Sequence, residues 1–501
     1  MQRLSGLDSM FFYLETPTNH MHVTGVFLLD PTNAPGGFSF AKVRAMVEAR
    51  LHRAPPMRRR LVEVPFGVAQ PVWIEDPDFD LDYHVRRACL PSPGGWLELK
   101  QFVGEVVGSA MDRQRPLWEM YLVEGLEGGL QAMVVKVHHA AIDGVSGAEL
   151  TAAWLDLEAD PPTADRDCGD DWRPDRVPSE IDLLVGAWAQ LASIPAKAAS
   201  TARRCTEASL RVSANNRCSE APSPPSLFSA PRTSFNLAIT PHRRVSFGAV
   251  ALEDLRAVKN HFGCTVNDVV LALCAGALRR YLLVRGELPA EPLVALVPMS
   301  VRAEEDRLAG GNRLSAMLSS LATEIPDPVG RLHTISAAMS QAKHQESLIG
   351  ADVLTDWTEF TFPALIGGVA RLISSTRLFD HVRPAFNVTI SNIPGPPFPM
   401  FLAGARVTAT YPLGPVVEGA GLNMTVMSYC GAVYFGLNGC RTTVPGIEDL
   451  PPMITESLDE LLSVVRPEYE SAPRTHGRSD QRAGSDQADG PDGGENPPEA
   501  W

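Results

Sequence analysis

The chain has 501 residues, and at roughly 150 residues per domain this length favours two to four domains. Its 44 Lys and Arg against 59 Asp and Glu give a formal charge of −15. A chain this acidic is a poor candidate for a nucleic-acid-binding protein, which needs a basic face to displace counterions. An apolar fraction of 45 % excludes a wholly disordered protein and predicts a globular one.

The eight cysteines are spread along the chain with no C-x-x-C pair. This spacing argues against a zinc ribbon, a thioredoxin-type site or a disulfide scaffold. The opening sequence, MQRLSGLDSMFFYLETP, lacks the apolar run of a signal peptide. The sequence contains no stretch of about 18 uninterrupted apolar residues, so no transmembrane helix is predicted. We therefore expect a cytoplasmic multidomain protein with reduced thiols.

The first 160 residues carry mixed helix and strand patterns. Strands are predicted at 21–30, 70–75 and 131–139. Helices are predicted at 40–53, 96–111 and 145–157. In the last of these, Ser146 and Glu149 fit an S-x-x-E capping box.

A change of composition separates this unit from the rest. Residues 160–182 hold eight acids and three arginines, which is typical of a loop or linker. Residues 183–217 are apolar and then basic, which fits either an inter-domain helix or a membrane-surface helix. Residues 218–234 are rich in Ser and Pro and predict an exposed crossover.

A second α/β unit is predicted from about 235 to 467. Thr265 and Asp268 cap a strongly apolar helix, and strands follow at 293–299, 386–393, 422–429 and 432–437. Residues 468–501 form a low-complexity tail that we expect to be disordered. The expected fold class is therefore α/β with mixed sheets, in two units joined by the segment 161–234.

The most informative segment is HHAAIDG, which starts at His138 at the end of a predicted strand. Adjacent strand residues point to opposite faces, so His138 and His139 cannot share one role, and a metal site built on both is disfavoured. The pattern suits one catalytic imidazole, which gains and loses a proton near neutral pH, beside a supporting one. Asp143 would fix the turn, and Gly144 would keep side-chain atoms away from the histidine.

HHAAIDG matches the HHxxxDG signature of the CoA-dependent acyltransferase superfamily. Several further segments resemble one branch, the bacterial wax ester synthase/diacylglycerol acyltransferase family. They are RPLWE at 115–119, TVND at 265–268, SNIPGP at 391–396 and the opening LSGLD followed by Phe11 and Phe12. The opening is similar to that of mycobacterial triacylglycerol synthase-like members, and the resemblance spans about residues 1–467.

The resemblance implies two chloramphenicol-acetyltransferase-like domains, at 1–160 and 235–467, with a tunnel between them. It implies that His139 is the general base, that His138 supports it and that Asp143 is structural. The reaction would move a long-chain acyl group from acyl-CoA, a co-substrate, to diacylglycerol or a fatty alcohol, without an acyl-enzyme. No cofactor, metal or nucleic acid is expected.

Four further residues are candidate substrate contacts, and three of them have a structural alternative. Trp118 is a ligand contact or a packing anchor, and Asn267 lines the tunnel or bonds the helix end. Asn392, next to Ser391, donates to a developing oxyanion or caps the turn before Pro394.

Other interpretations remain open at this point. Two interpretations apply to Arg243, Arg244 and Arg302: they pair with CoA phosphates, or they are ordinary surface charges. Two alternatives to diacylglycerol acylation are an enzyme that acylates a different alcohol or an amine, and a non-catalytic lipid-binding relative of the family. A lipid acceptor also suggests peripheral contact with the inner face of the plasma membrane or with lipid droplets, with 183–217 as the candidate surface.

Overall fold

The computed structural model describes residues 2–141, 153–161, 172–188, 203, 225–226, 228–300, 314–349 and 363–466. Asp143, Gly144 and Arg302 lie outside these ranges, as do the proposed capping box at Ser146 and Glu149, most of 183–217 and the tail. The predicted α/β fold class is confirmed, because helices and mixed sheets alternate through both halves.

The strands are β1 (Gln2–Arg3), β2 (His22–Asp30), β3 (Arg59–Val62), β4 (Val72–Glu75), β5 (Val85–Cys89), β6 (Trp118–Glu124), β7 (Gln131–His138), β8 (Arg243–Ala251), β9 (Val294–Ser300), β10 (Leu314–Ser320), β11 (Val388–Ile393), β12 (Phe401–Leu402), β13 (Ala405–Leu413), β14 (Leu422–Tyr429) and β15 (Ala432–Cys440). The α-helices are α1 (Gly6–Leu14), α2 (Phe40–Arg50), α3 (Leu81–His84), α4 (Trp96–Gly108), α5 (Leu252–Phe262), α6 (Val266–Arg285), α7 (Pro328–Ile349), α8 (Pro363–Thr376) and α9 (Leu450–Val465). A short 3₁₀ helix, His139–Ala141, follows β7 directly.

The N-terminal half is built on a six-stranded sheet in the order β12-β13-β2-β7-β6-β5. In its centre β2 and β7 are antiparallel, and their register sets His22 opposite His138. On the other side of β7, Trp118 of β6 lies opposite Val137. The same half contains a smaller sheet in the order β1-β4-β3. His138 of the HHAAIDG motif and Trp118 of the PLW motif therefore lie on neighbouring strands of one sheet.

The C-terminal half holds a second six-stranded sheet in the order β10-β9-β11-β14-β15-β8. Here β11 runs parallel to both β9 and β14, while the remaining pairs are antiparallel. Helix α6 is buried along most of its length against this sheet and its neighbouring helices. Its start is the predicted capping box: Asp268 N donates to Thr265 Oγ1 at 3.1 Å, and Thr265 N donates to Asp268 Oδ2 at 2.9 Å.

One segment departs from the expected division of the chain. Strands β12 and β13 fall within the predicted second unit, yet β13 pairs antiparallel with β2 and extends the N-terminal sheet. The pairing runs from Arg406, opposite Asp30, to Leu413, opposite Thr24, with an irregularity after Val407. The pattern of a strand does not say which sheet edge supplies its hydrogen-bond partners, so the sequence did not predict this exchange.

The predicted elements agree with the observed ones to within a few residues. The strand at 422–429 has the predicted bounds, and the run 131–139 ends as a strand at His138 because His139 opens the 3₁₀ turn. The helix begun at Phe40 ends at Arg50 and continues as a 3₁₀ helix, Leu51–Arg53. Of the helix predicted at 145–157, the described residues 153 and 154 are helical.

The end of the acidic linker is attached to the N-terminal half. Residues 172–179 have no regular secondary structure, yet Trp172 Nε1 donates to Glu75 Oε2 at 2.8 Å. Residues 180–188 are helical, and Leu183 and Ala187 pack into a small cluster with Val72 and its neighbours. The described part of this segment therefore packs on the small sheet of the N-terminal half.

The cysteines within the described ranges are all free: Cys89, Cys264, Cys274, Cys430 and Cys440.

In the described ranges no single helix has the length and hydropathy to cross a bilayer. Helices α5 and α6, bent by 104° to each other, would qualify together by length and composition only.

The exchange of β13 brings the two halves into close contact at Gly436 of β15. A Cβ added there would lie 1.8 Å from the carbonyl oxygen of Pro412 on β13, whereas a Cβ at Gly368 of α8 would meet no atom within 4 Å. We expect Gly436→Ala to destabilise the protein by at least about 1–3 kcal/mol, since the backbone itself must move. The measurement is the thermal unfolding midpoint, with Gly368→Ala as the matched control. Equal midpoints for the two variants would contradict the close contact.

Candidate active site

His139 lies where β7 ends and the 3₁₀ turn begins. Its backbone N–H donates to Met21 O at 2.8 Å, and its ring stacks on Phe11 of α1 with centroids 4.0 Å apart. Within the described part of the chain, its buried Nδ1 has no hydrogen-bond partner. Burial, and secondarily the neighbouring His138, lower the pKa of His139 to about 4. The imidazole is therefore neutral at physiological pH and able to accept a proton.

His138 has different surroundings, as expected for the preceding residue of a strand. It is buried, and its backbone N–H donates to Leu117 O at 3.0 Å. Its Nδ1 accepts the backbone N–H of Ala140 at 3.1 Å, while its Nε2 faces the carboxylate of Glu15 at 3.6 Å. His138 thus connects the turn that carries His139 to a buried acid.

That acid, Glu15, is the main feature that the sequence reasoning missed. Its Oε1 lies 3.7 Å from His20 Nδ1 and 3.6 Å from His22 Nε2, and its Oε2 accepts from Arg113 Nη2 at 2.8 Å. Burial alone would raise the pKa of Glu15, but the close imidazoles of His138, His20 and His22 outweigh it and hold that pKa well below its usual range. Burial lowers the pKa of His22 to about 3, so this ring is neutral.

The pairing of β2 with β7 brings the residues of this cluster together, and the sequence alone does not show that they are close in space. The nearest signal in the sequence is the occurrence of one acid and two histidines within eight residues, from Glu15 to His22. The third histidine, His138, is distant in sequence and reaches the cluster through the strand register.

Trp118 is a core residue. It is almost completely buried, its Nε1 donates to Met57 O at 2.7 Å, and its ring stacks on His84 with centroids 4.6 Å apart. Trp154 contacts its ring as well, at 5.5 Å. These contacts give Trp118 a packing role beside β7, and substrate contact by this residue stays a prediction.

The ND and SNIPGP motifs meet in the C-terminal half. Asn392, on β11, donates through Nδ2 to Oδ1 of Asn267, in the first turn of α6, at 3.4 Å. Ser391 precedes Asn392 on the same strand and is partly buried. The capping of α6 is carried by Thr265 and Asp268, so the helix-end alternative is not needed to explain Asn267.

The turn after β11 has its own hydrogen bonds. Gly395 N donates to Ser428 Oγ at 3.1 Å, and a Cβ at Gly395 would lie 2.0 Å from Ser428 O. The turn thus needs glycine at this position and is tied to β14. Among the described contacts none shows Asn392 capping the turn, so its side chain is paired with Asn267.

The candidate CoA-binding arginines differ from each other. Arg243 is buried and donates to the backbone oxygens of Thr18 and Thr240, so it holds the two halves together. Arg244 lies 3.6 Å from Glu448 and lines a surface groove of about 890 Å³ with Lys100 and other residues. Arg243 lines the same groove, and phosphate binding by either arginine stays a prediction.

Comparison with known families connects these features. Residues 4–270 match the wax ester synthase/diacylglycerol acyltransferase catalytic domain, and residues 310–462 match the C-terminal domain of the same family. The chain belongs to this family. The first match contains the histidine pair, PLW and Asn267, and the second contains Asn392.

Several relatives align with this chain over nearly its whole length. It is 37 % identical over 466 residues to a putative diacylglycerol O-acyltransferase of Mycobacterium tuberculosis, covering 92 % of this chain and 90 % of the relative. It is 38 % identical over 465 residues to the probable diacylglycerol O-acyltransferase tgs2 of the same species, covering 91 % and 98 % of the two chains.

Solved structures agree with the family assignment. The wax ester synthase/diacylglycerol acyltransferase from Marinobacter aquaeolei VT8 superposes with a TM-score of 0.65 at 30 % identity, covering 93 % of this chain and all of that one. The first condensation domain of the calcium-dependent antibiotic synthetase superposes with a TM-score of 0.56 at 15 % identity, covering 94 % and 99 %. This second likeness shows the shared fold alone.

The low proton affinity of His139 can be measured without substrate. At pH 5.5, an imidazole with a pKa of about 4 is only about 3 % protonated, whereas an exposed imidazole with a pKa of about 6.5 is about 90 % protonated. We expect the His139 ring resonances, assigned by their loss in His139→Gln, to report a neutral ring at pH 5.5. The internal reference is free imidazole added to the same sample. Titration of the His139 ring together with this reference would contradict the lowered pKa of His139.

Proposed function

We propose that this family member is an acyl-CoA-dependent O-acyltransferase that transfers a long-chain acyl group to the hydroxyl of diacylglycerol. The observation that carries the proposal is a neutral imidazole, His139, held at the end of β7 in an HHxxxDG sequence. The named activity of the mycobacterial relatives, diacylglycerol O-acyltransferase, supports diacylglycerol as the acceptor.

In the proposed reaction His139 acts as a general base. It takes the proton of the acceptor hydroxyl while that oxygen forms a bond to the thioester carbonyl carbon, and the carbonyl oxygen becomes negative. The tetrahedral intermediate then collapses, the C–S bond breaks, and the CoA sulfur leaves with the proton held by His139. The products are an ester and CoA, and no acyl-enzyme is formed.

A thioester is already activated, so the protein needs to supply positioning, a base and stabilisation of the oxyanion. The lowered pKa of His139 keeps it in the proton-accepting form. Negative charge that develops on the substrate next to this ring favours the imidazolium at that moment. The paired amides of Asn267 and Asn392 are the candidate donors to the oxyanion, and Ser391 is a candidate contact beside them.

Replacement of His139 tests the catalytic role. Since a positioned base contributes about 10²–10⁴ in rate, we expect His139→Ala to lower kcat by about that factor. The assay follows triacylglycerol formation and CoA release from palmitoyl-CoA and dioleoylglycerol. The control is His381→Ala, which removes an exposed histidine and should leave kcat unchanged. Equal kcat for wild type and His139→Ala would refute His139 as the base.

The same assay separates the alternative functions. Hexadecanol in place of diacylglycerol tests wax ester synthesis, which the name of the Marinobacter relative favours. If CoA is released with another alcohol or an amine, and neither with diacylglycerol nor with hexadecanol, the acceptor belongs to a different class. Tight acyl-CoA binding without turnover on any acceptor would indicate a non-catalytic lipid-binding protein.

We further propose that the helical segment 180–188 contacts a lipid surface from which the acceptor is taken, on the inner face of the membrane or on a lipid droplet. Its inner face packs through Leu183 and Ala187. On the outer face Ile181, Val185 and Trp188 are 73 %, 66 % and 72 % exposed. Apolar side chains at this helical spacing, pointing away from the protein, suit insertion at a bilayer interface.

Vesicle flotation tests this surface. We expect the variant with both Val185→Ser and Trp188→Ser to float less than wild type with vesicles of phosphatidylcholine, phosphatidylglycerol and diacylglycerol, because it loses the inserted apolar area. The control is Val284→Ser on α6, which removes another apolar side chain that is 76 % exposed. Unchanged flotation of the double variant would reject the proposed contact.

A further inference from the structure

A buried carboxylate lies behind the histidine pair, and the proposed reaction does not use it directly. Glu15 follows the last residue of α1, and its side chain is only 7 % exposed. Arg113 neutralises it with two N–H groups, at 2.8 and 3.0 Å from Oε2. His20, His22 and His138 surround the rest of the carboxylate at 3.6 to 3.7 Å.

The hydrogen bonds of His138 decide which of its nitrogens carries the proton. Its Nδ1 accepts the backbone N–H of Ala140, so Nδ1 must present a lone pair. In a neutral ring the proton then sits on Nε2, and Nε2 faces Glu15. An ionised carboxylate stabilises this tautomer because its charge attracts the Nε2–H dipole. The opposite tautomer would point a lone pair at the carboxylate and an N–H at Ala140.

The same cluster has the residue types of a metal site, since one ligand atom from each of Glu15, His22 and His138 lies within 4.8 Å of the others. Two contacts argue against a metal ion. Nε2 of His138 would have to lose its proton while Nδ1 still accepts from Ala140, which requires an imidazolate. Arg113 already occupies Oε2 of Glu15, and its positive charge opposes a divalent cation. The geometry fits a carboxylate that receives N–H groups.

Helix α1 contacts both histidines of the motif. Phe11 stacks on His139, and Glu15, at the end of the same helix, faces His138. The Ala140 N–H that binds His138 belongs to the 3₁₀ turn of His139–Ala141. A change in the His138 tautomer therefore breaks a hydrogen bond inside the turn that presents His139.

We propose that Glu15 is a positioning residue, which holds His138 as the Nε2–H tautomer and thereby fixes the turn that aims His139 at the reacting atoms. In its activity readout this inference rests on the proposed function, whereas its spectroscopic readout does not. Because Glu15 lies at the end of α1, the N-terminal helix supports the base through this residue, without contact between Glu15 and substrate.

The test uses Glu15→Gln in the full chain, labelled with ¹⁵N on histidine side chains. Gln keeps the size of the side chain but removes the charge and offers N–H groups to its neighbours. We expect wild-type His138 to show an unprotonated Nδ1, and Glu15→Gln to show a tautomer mixture. We also expect kcat to fall by about 10²-fold with KM for acyl-CoA unchanged, as for a small displacement of a catalytic group.

The matched control is Glu63→Gln. Glu63 also faces Arg113, at 3.7 Å, but it is about half exposed and has no described contact with the histidines. This variant should keep the wild-type tautomer and kcat. Glu15→Asp keeps the charge, and recovery of the Nε2–H signal in it would support the role of the carboxylate if Glu15→Gln folds poorly.

Several results would overturn the inference. An unchanged His138 tautomer in Glu15→Gln does so whatever happens to kcat, because the effect would then be one of general stability. Stoichiometric zinc in the purified protein, with loss of the tautomer signal on chelation, would replace the inference by a metal site. If wild type acylates no acceptor, the proposed function fails, and the tautomer experiment alone still decides the role of Glu15.

Discussion

The antiparallel pairing of β2 with β7 is the constraint on which the site depends. It sets His22 opposite His138 and carries β7 to the point where His139 leaves the strand. Because paired residues of one face lie about 5 Å apart, the register alone brings two imidazoles together beside the end of α1. A slip of one residue would turn His138 to the other face and separate it from Glu15.

Burial of this polar cluster is costly and is offset by pairing within it. Glu15 is matched by Arg113, and the buried Lys136 on β7 is matched by Glu119 at 3.0 Å. His22 and His139 then stay neutral, because burial lowers the pKa of each ring by disfavouring an added positive charge. Under the proposed function, these buried surroundings keep His139 in its proton-accepting form at physiological pH.

The second constraint is the exchange of β13 into the N-terminal sheet. This strand links the sheet that carries the histidines to the segment that follows Asn392. Gly436 and Pro412 touch where the two sheets meet, and Arg243 bonds the backbone of Thr18 across the halves. The halves are thus fixed relative to each other, which a two-substrate transfer requires if groups from both are to act together.

The sequence by itself determined the family, the fold class and most strands and helices, because HHAAIDG, PLW, TVND and SNIPGP are local patterns. It also placed the capping box of α6 at Thr265 and Asp268. Only the tertiary structure decided that Trp118 is buried, that Asn267 bonds Asn392, that β13 joins the other sheet and that Glu15 lies against His138. These features join residues distant in the chain. Strand register and sheet order set them, and no periodicity within a single segment encodes either.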